Sequence, residues 1–465
     1  MDGKSIMYID LNRLSLENIL QALGELDSST LFLDLYWSWD RRGHKTADEL
    51  VHILGALPQT VQSLRLSGNG LVNESPDALV RILGALPATL QALVLREKKL
   101  GHKADAELIR ILAMLPVNLL SLDLCGNNLD YKSVAELIRM FGALPVNLRS
   151  LDLSENNFGR KTAAELVHIL GALPVNLQSL DLSANGLGNK STAELVRILG
   201  VLPLNLQSLA LSRHYLHHTA AEEVIGILRA LPAKLRSLAL CGNNLGFRSA
   251  AELIRIFSEL PANLQSLGLG ENHFYYKTAD ELVRIFGALQ PNLHSLDLSA
   301  NALYFKTVDE LVHIYGALPV NLQSLDLSKN NLGSKSADAL VRILRALPQN
   351  LQSLDLRNNG LCGKTDEELI ALIAVFRESA LTELKFDDAI MQRPAVKAVY
   401  DDIIGVRAHN ARQKETGLLG LLLSELTPSS PAASSSSSPA GFFPSASSSV
   451  LASDIPSSAY TCTLL

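Results

Sequence analysis

Leucines and polar residues alternate along one short stretch of this chain, and then the period changes. In NLQSLDLSANGL (176–187), Leu177, Leu180, Leu182 and Leu187 form an inward apolar set. Ser179, Asp181 and Ser183 alternate with them at period two, which predicts a strand. A helix start precedes the next apolar run. Thr162 with Glu165, Ser133 with Glu136, Ser191 with Glu194 and Ser249 with Glu252 stand three apart, the spacing at which hydroxyl and carboxylate reciprocally satisfy free N–H groups. Leu166, Ile169, Leu170 and Leu173 follow at helical spacing, and Pro174 stops the helix. The unit is strand, turn, helix. The leucines of successive LDL-like triplets, Leu64, Leu93, Leu122, Leu151, Leu180 and onward to Leu354, recur every 29 residues, with further triplets at Leu33 and Leu384. One such unit cannot bury its own apolar face, so a fixed period of this size predicts stacked copies.

An asparagine stands five residues after the triplet leucine in nine of eleven registered copies, Lys98 and His214 being the exceptions. Inside a stacked turn its amide satisfies backbone groups that would otherwise be buried unpaired. The ends depart from the pattern. Residues 1–27 read as an N-terminal cap, with a strand over Ile6–Leu11 and a helix over Leu16–Leu26, and Trp37 and Trp39 join it. Residues 389–426 read as a helical C-terminal cap. From Thr427 the composition changes: fourteen of the last 39 residues are serine and five are proline, so 427–465 is expected to be a disordered tail.

The repeated LxxLxLxxNxL, followed by a helix and a closing LP, resembles the leucine-rich repeats of the ribonuclease-inhibitor type over residues 28–388. The resemblance implies an α/β repeat solenoid, a horseshoe with parallel strands on the concave face and helices on the convex face. Twelve to fourteen strands at ~4.8 Å would line ~55–65 Å of inner surface. Such a scaffold hosts many unrelated binding tasks, so function must come from its faces.

Composition narrows the classes. A net charge of −6 argues against general nucleic-acid affinity. The first residues lack the apolar core of a secretory signal, and no run of about 18 apolar residues predicts a membrane span. Four scattered cysteines fit a reducing compartment rather than a disulfide framework. The sequons at Asn73 and Asn189 are accordingly read as idle.

Four sets of side chains decorate the repeats. Asp34, Asp123, Asp152, Asp181, Asp297, Asp326 and Asp355 form an inner ladder interrupted by Val94, Ala210, Ala239 and Gly268; it reads as an acidic track for a basic partner or as a solvated consensus. On the helices, arginines such as Arg139 and Arg197 follow Glu136 and Glu194 by three and read as solvated intrahelical pairs. The loop lysines, among them Lys103, Lys132, Lys161, Lys306 and Lys364, read as solvated too. The fourth set is aromatic. In four consecutive repeats rings replace the small polar loop residues: His218, Phe247, Tyr276 and Phe305 in one register, with His217, Tyr275 and Tyr304 beside them and His214, Tyr215, His273 and Phe274 nearby. Rings at equivalent exposed positions are a candidate partner-binding strip, since aromatics dominate interface energetics.

Enzyme chemistry is not indicated. His214, His217 and His218 lack the cysteine or carboxylate that would complete a metal site, and neither a phosphate loop nor a nucleophile elbow occurs. No cofactor is expected. Cys125 and Cys241 read as replacements of a consensus serine. The final Cys462-Thr463-Leu464-Leu465 matches C-a-a-X, which designates Cys462 for lipidation, with the terminal leucine favouring geranylgeranyl.

Near-identical repeats, a polar tail and this box together resemble the leucine-rich-repeat effectors of Legionella-type intracellular bacteria. The resemblance implies a monomeric, non-enzymatic scaffold delivered into host cytosol, binding a host protein and tethered to host membranes through Cys462. A soluble inhibitor wrapping one enzyme, an adaptor recruiting ubiquitination machinery through 389–426, and a eukaryotic cytoplasmic protein with the same modules remain open alternatives.

Overall fold

The structure is a computed structural model that describes residues 7–26, 31–38, 44–68, 70–216 and 220–409. Trp39, His217, His218, Cys462, residues 410–426 and the tail lie outside the described residues.

Fourteen parallel strands form one sheet whose spatial order is the chain order, from Met7–Asp10 to Glu383–Lys385. Leu151 pairs in register with Leu180, and Asp152 with Asp181, so each 29-residue step is one strand spacing. A helix such as Ala163–Leu170 returns each chain segment to the next strand. Strands line one face and helices the other, as the repeat pattern implied. Between them lies a continuous core of leucines, with Phe141, Phe158, Phe257, Phe274, Phe286 and Tyr315 as its largest fully buried side chains. The predicted N-terminal cap is itself a strand and helix, Met7–Asp10 and Leu16–Gly24, joined to the first full repeat. At the other end, helices Asp388–Met391 and Pro394–Tyr400 cover the last repeat. Among the described residues no helix is long and apolar enough to cross a membrane.

The asparagines hold the stack together. Asn185 Oδ1 accepts the N–H groups of Asn156 (3.0 Å) and Phe158 (3.3 Å) in the preceding repeat. Its amide donates to the carbonyls of Leu153 and Leu182, both at 2.9 Å. The residue on either side of this asparagine is left-handed: Glu155 and Asn157 both have φ of 57°, and Glu271 and His273 have φ of 55° and 61°. Left-handed backbone costs a non-glycine residue ~1–2 kcal/mol, and the ladder bonds offset it. At the first break, the Lys98 ammonium is buried, donates to the Gly68 carbonyl at 2.5 Å, and is pushed by burial to a pKa of about 8. At the second, His214 Nδ1 accepts the Leu187 N–H at 3.3 Å, and burial lowers the ring's pKa to about 4.

Two expectations are corrected. Among the described residues no ion-pair contact joins the glutamates to the helix arginines three residues on, and these glutamates close capping boxes instead; Glu136 Oε2 accepts the Ser133 N–H at 2.6 Å. Several of the arginines instead bridge to the preceding repeat, Arg110 to Asp77 at 3.0 Å and Arg342 to Asp309 at 2.6 Å. The loop lysines are clasps rather than a solvated face. Lys161 Nζ donates to the Lys132 carbonyl at 2.6 Å, Lys364 to that of Lys335 at 2.7 Å, and Lys306 to that of Lys277 at 2.5 Å. Spacing within one unit does not reveal such partners, because stacking brings the previous copy's carbonyls within one strand spacing.

Candidate functional site

Among the described residues most strands are followed by a short helical bend, such as Leu245–Phe247, Phe274–Tyr276 and Leu303–Phe305. Its first residue is the inward consensus leucine, and its third points off the edge of the solenoid. Phe274 occupies the first position and is therefore core, packed edge-on against Phe286 at 5.7 Å, which removes it from the strip. His214 belongs to the buried ladder. Phe247, Tyr276 and Phe305 occupy the third position and are 53, 54 and 59% exposed. Their rings form a chain with the half-buried tyrosines: Phe247 to Tyr276 at 4.8 Å, Tyr276 to Tyr275 at 4.2 Å, Tyr275 to Phe305 at 5.4 Å, and Phe305 to Tyr304 at 4.2 Å. His273 adds a contact with Phe247 at 5.7 Å, and Tyr215 stands exposed two repeats before it.

The second position of the bend explains what these rings displace. Five repeats place glycine there (Gly101, Gly159, Gly188, Gly246 and Gly333), close against the next turn, while Val72, Asp130 and Cys362 hold the same position in others. A Cβ on Gly159 would lie 2.4 Å from the Gly186 carbonyl oxygen, and one on Gly246 would lie 2.3 Å from that of His273. With glycine, the N–H donates across the stack at 2.7 Å (Gly159 to Asn185) or 2.8 Å (Gly246 to Asn272). With Tyr304 the same bond opens to 3.3 Å. Asp130, at the same position, makes the bond at 3.2 Å, so any side chain there lengthens it, and Tyr275 and Tyr304 share this position with glycine in five other repeats.

Sequence reasoning missed two further rings. His102 and Tyr131 occupy the third position in earlier repeats and lie 4.6 Å apart, with Tyr131 exposed. The 29-residue register alone places them in the same row as Phe247.

Models described as leucine-rich repeat match residues 147–169, 320–341 and 350–372. A search of curated proteins finds no match. Among solved structures, the leucine-rich-repeat-containing protein LegL7 of Legionella pneumophila is 32% identical, with a TM-score of 0.60, over 67% of this chain and 98% of that one. The chain is a leucine-rich-repeat protein. The yeast Rad7–Elc1 complex matches at 17% identity and a TM-score of 0.46, over 75% of this chain and 85% of that one.

On the strand face of this leucine-rich-repeat chain the aspartates are only partly solvated. Each tends to cap the end of its own strand: Asp152, Asp297 and Asp326 accept the N–H two residues on at 2.8, 2.7 and 2.7 Å. Arg96 spans Asp123 (2.5 Å) and Asp152 (2.9 Å), and Arg357 covers Asp355 at 2.5 Å. Burial, with repulsion from Asp152, raises the carboxyls of Asp123 and Asp181 to about 6. Burial pushes the Cys125 thiol up to about 12 and raises that of Cys241 as well. Among the described residues no group of histidine, cysteine and carboxylate side chains could hold a metal ion.

Proposed function

We propose that this scaffold captures a protein partner along the edge formed by Phe247, Tyr275, Tyr276, Tyr304 and Phe305, and that it does so as a bacterial effector inside a host cell. One observation carries the binding reading: Phe247, Tyr276 and Phe305 stand exposed in consecutive repeats and join Tyr275 and Tyr304, which fill a tight position held by glycine in five other repeats, in one unbroken chain of ring contacts. Residues that work against local packing are expected where another task is served. The exposed rings give that edge rigid apolar area at low conformational cost, the composition of an interface anchor. Support for the effector reading comes from the similarity to a Legionella pneumophila leucine-rich-repeat protein and from the C-a-a-X sequence at Cys462, which eukaryotic enzymes read. Host cytosol and host membranes are the proposed location, with His218 a candidate extension of the edge. The test is affinity capture from host lysate with the intact chain and with Phe247→Ala/Tyr276→Ala/Phe305→Ala. A protein retained by the first and lost by the folded second is expected. Equal retention would remove the edge from the function.

A further inference from the structure

The opposite ends of the strands carry a second edge of different chemistry. There most helices end in Leu-Pro (Leu289-Gln290 is an exception), and the next two residues turn the chain towards the following strand. The first of these is large and apolar in four consecutive repeats, Val117, Val146, Val175 and Leu204, which are 61, 68, 76 and 81% exposed. The leucine two positions on from each is fully buried, so the chain supplies a core anchor without needing the exposed residue. In the next three repeats the equivalent positions are Ala233, Ala262 and Pro291. Val320, 70% exposed, holds the equivalent position in the repeat after these, so the unbroken apolar run is the arc from Val117 to Leu204.

Beside that arc lies a concavity of about 230 Å³. Asn147, Asn176 and Asn205, each following an exposed apolar residue, form one side of it, and Gln178 and Gln207 also line it. Arg149 and Lys234 complete the lining, and no carboxylate contributes to it. The asparagine amides form an exposed counterpart of the buried ladder, Asn147 donating to the Val117 carbonyl at 3.1 Å and Asn205 to that of Val175 at 3.4 Å. Lys234 replaces the asparagine of its repeat, and its ammonium donates to Asn205 Oδ1 at 2.8 Å. Arg236 stands in the same register as Arg149, three repeats on. Among the described residues none of these three cations has a carboxylate partner, whereas many of the helix arginines do. In a chain of net charge −6, three unpaired cations beside a groove free of carboxylates mark a local reversal of sign.

We propose that this edge is a second docking site and that its occupant is an extended acidic peptide segment with aliphatic side chains. Aliphatic residues of the segment lie on Val146, Val175 and Leu204. Primary amides of asparagine and glutamine, each both donor and acceptor, meet its peptide groups. Its carboxylates meet Arg149, Lys234 and Arg236. The four-residue apolar row disfavours a nucleic-acid occupant, and the polar concavity beside it disfavours a flat lipid surface. The site stands apart from the aromatic edge, which follows the strands where this one precedes them.

The test uses the full chain as bait for a phage-displayed library of random peptides, followed by synthesis and anisotropy titration of the enriched sequences. The expected result is enrichment of Asp or Glu among Val, Leu and Ile. Affinity is expected to fall about tenfold or more in Arg149→Gln/Lys234→Gln/Arg236→Gln and in Val146→Ser/Val175→Ser/Leu204→Ser. The aromatic-edge triple alanine should bind the same peptides unchanged, which separates this site from the proposed partner edge. The glutamine variant leaves the apolar row intact and so tests the site even if the serine variant folds poorly. Absence of a consensus, or peptides indifferent to both variants, would overturn the proposal. So would binding of phosphatidylserine vesicles that is lost in the glutamine variant, or self-association that is lost in the serine variant.

Discussion

Replacing Asn185 by alanine tests the physical basis of the stack. In the native chain its side chain serves five backbone groups, two N–H donors and three carbonyls (the third, of Ser183, at 3.4 Å), in a buried turn. The carbonyl of Leu153 keeps the amide of Asn156 at 3.0 Å, so its loss is partial. The N–H groups of Asn156 and Phe158 have no second acceptor among the described residues. A buried donor left unpaired costs ~1–3 kcal/mol, so two of them predict a loss of ~2–6 kcal/mol. That is a large part of a domain's usual ~5–15 kcal/mol. The same repeat supplies its own control. Asn176 is exposed, and its amide reaches only the Val146 carbonyl at 3.5 Å, so Asn176→Ala should shift stability by no more than ~0.5 kcal/mol. Urea unfolding followed by circular dichroism at pH 7.5 measures both. An unchanged midpoint for Asn185→Ala, or equal shifts for the two variants, would refute the claim that the inner amides hold the turns together.

His214→Asn should stabilise the chain, because it restores the ladder at its second break. The sign with pH is specific: the folded ring has a pKa of about 4 against 6.5 unfolded, so the unfolded chain takes up a proton that the folded chain refuses. Wild-type stability therefore falls as pH drops from about 6.5 to about 4, by ~3 kcal/mol over the window, and the variant's advantage grows by that amount. Urea midpoints at pH 7.5 and 4.5 read it, and a pH-independent difference between the two proteins would contradict it. Cys462→Ser in eukaryotic cells should abolish isoprenoid labelling and move the protein from membrane fractions to cytosol; a single chain anchors reversibly, so salt-washed membranes should retain only part of the intact protein. Finding no label on the intact protein would end the membrane reading and leave the scaffold untouched.

The fold was legible because the repeat is its own alignment. Period, strand, inner asparagine and capping box each recur at fixed offsets, and Leu151, Asn156 and Thr162 with Glu165 do in the structure what their spacing implied. What stayed hidden lies between copies. Arg110 finds Asp77 and Lys161 finds the Lys132 carbonyl only after stacking, and no pattern within 29 residues announces a neighbour one period away. The aromatic loops were visible as departures from consensus, but the reason they matter was not: only backbone proximity shows that Gly159 and Gly246 occupy positions with no room for a side chain. The exposed Val146, Val175 and Leu204 were hidden by regularity, since an apolar residue next to a buried leucine looks like core until its exposure is known.

The aromatic edge is kept for binding, with Tyr275 and Tyr304 at a tight position that five other repeats give to glycine. The most direct measurement is Tyr275→Gly/Tyr304→Gly, scored for both thermal stability and retention of the protein captured by the intact chain. Restoring glycine closes the inter-turn bond at 304 from 3.3 Å towards the 2.8 Å seen at Gly246. The expected result is a melting temperature within a few degrees of wild type, since a change of ~1 kcal/mol moves it ~2–4 °C in a chain half this size and less in a longer one, together with loss of the captured protein. A folded double variant that retains that protein at wild-type affinity would contradict the claim.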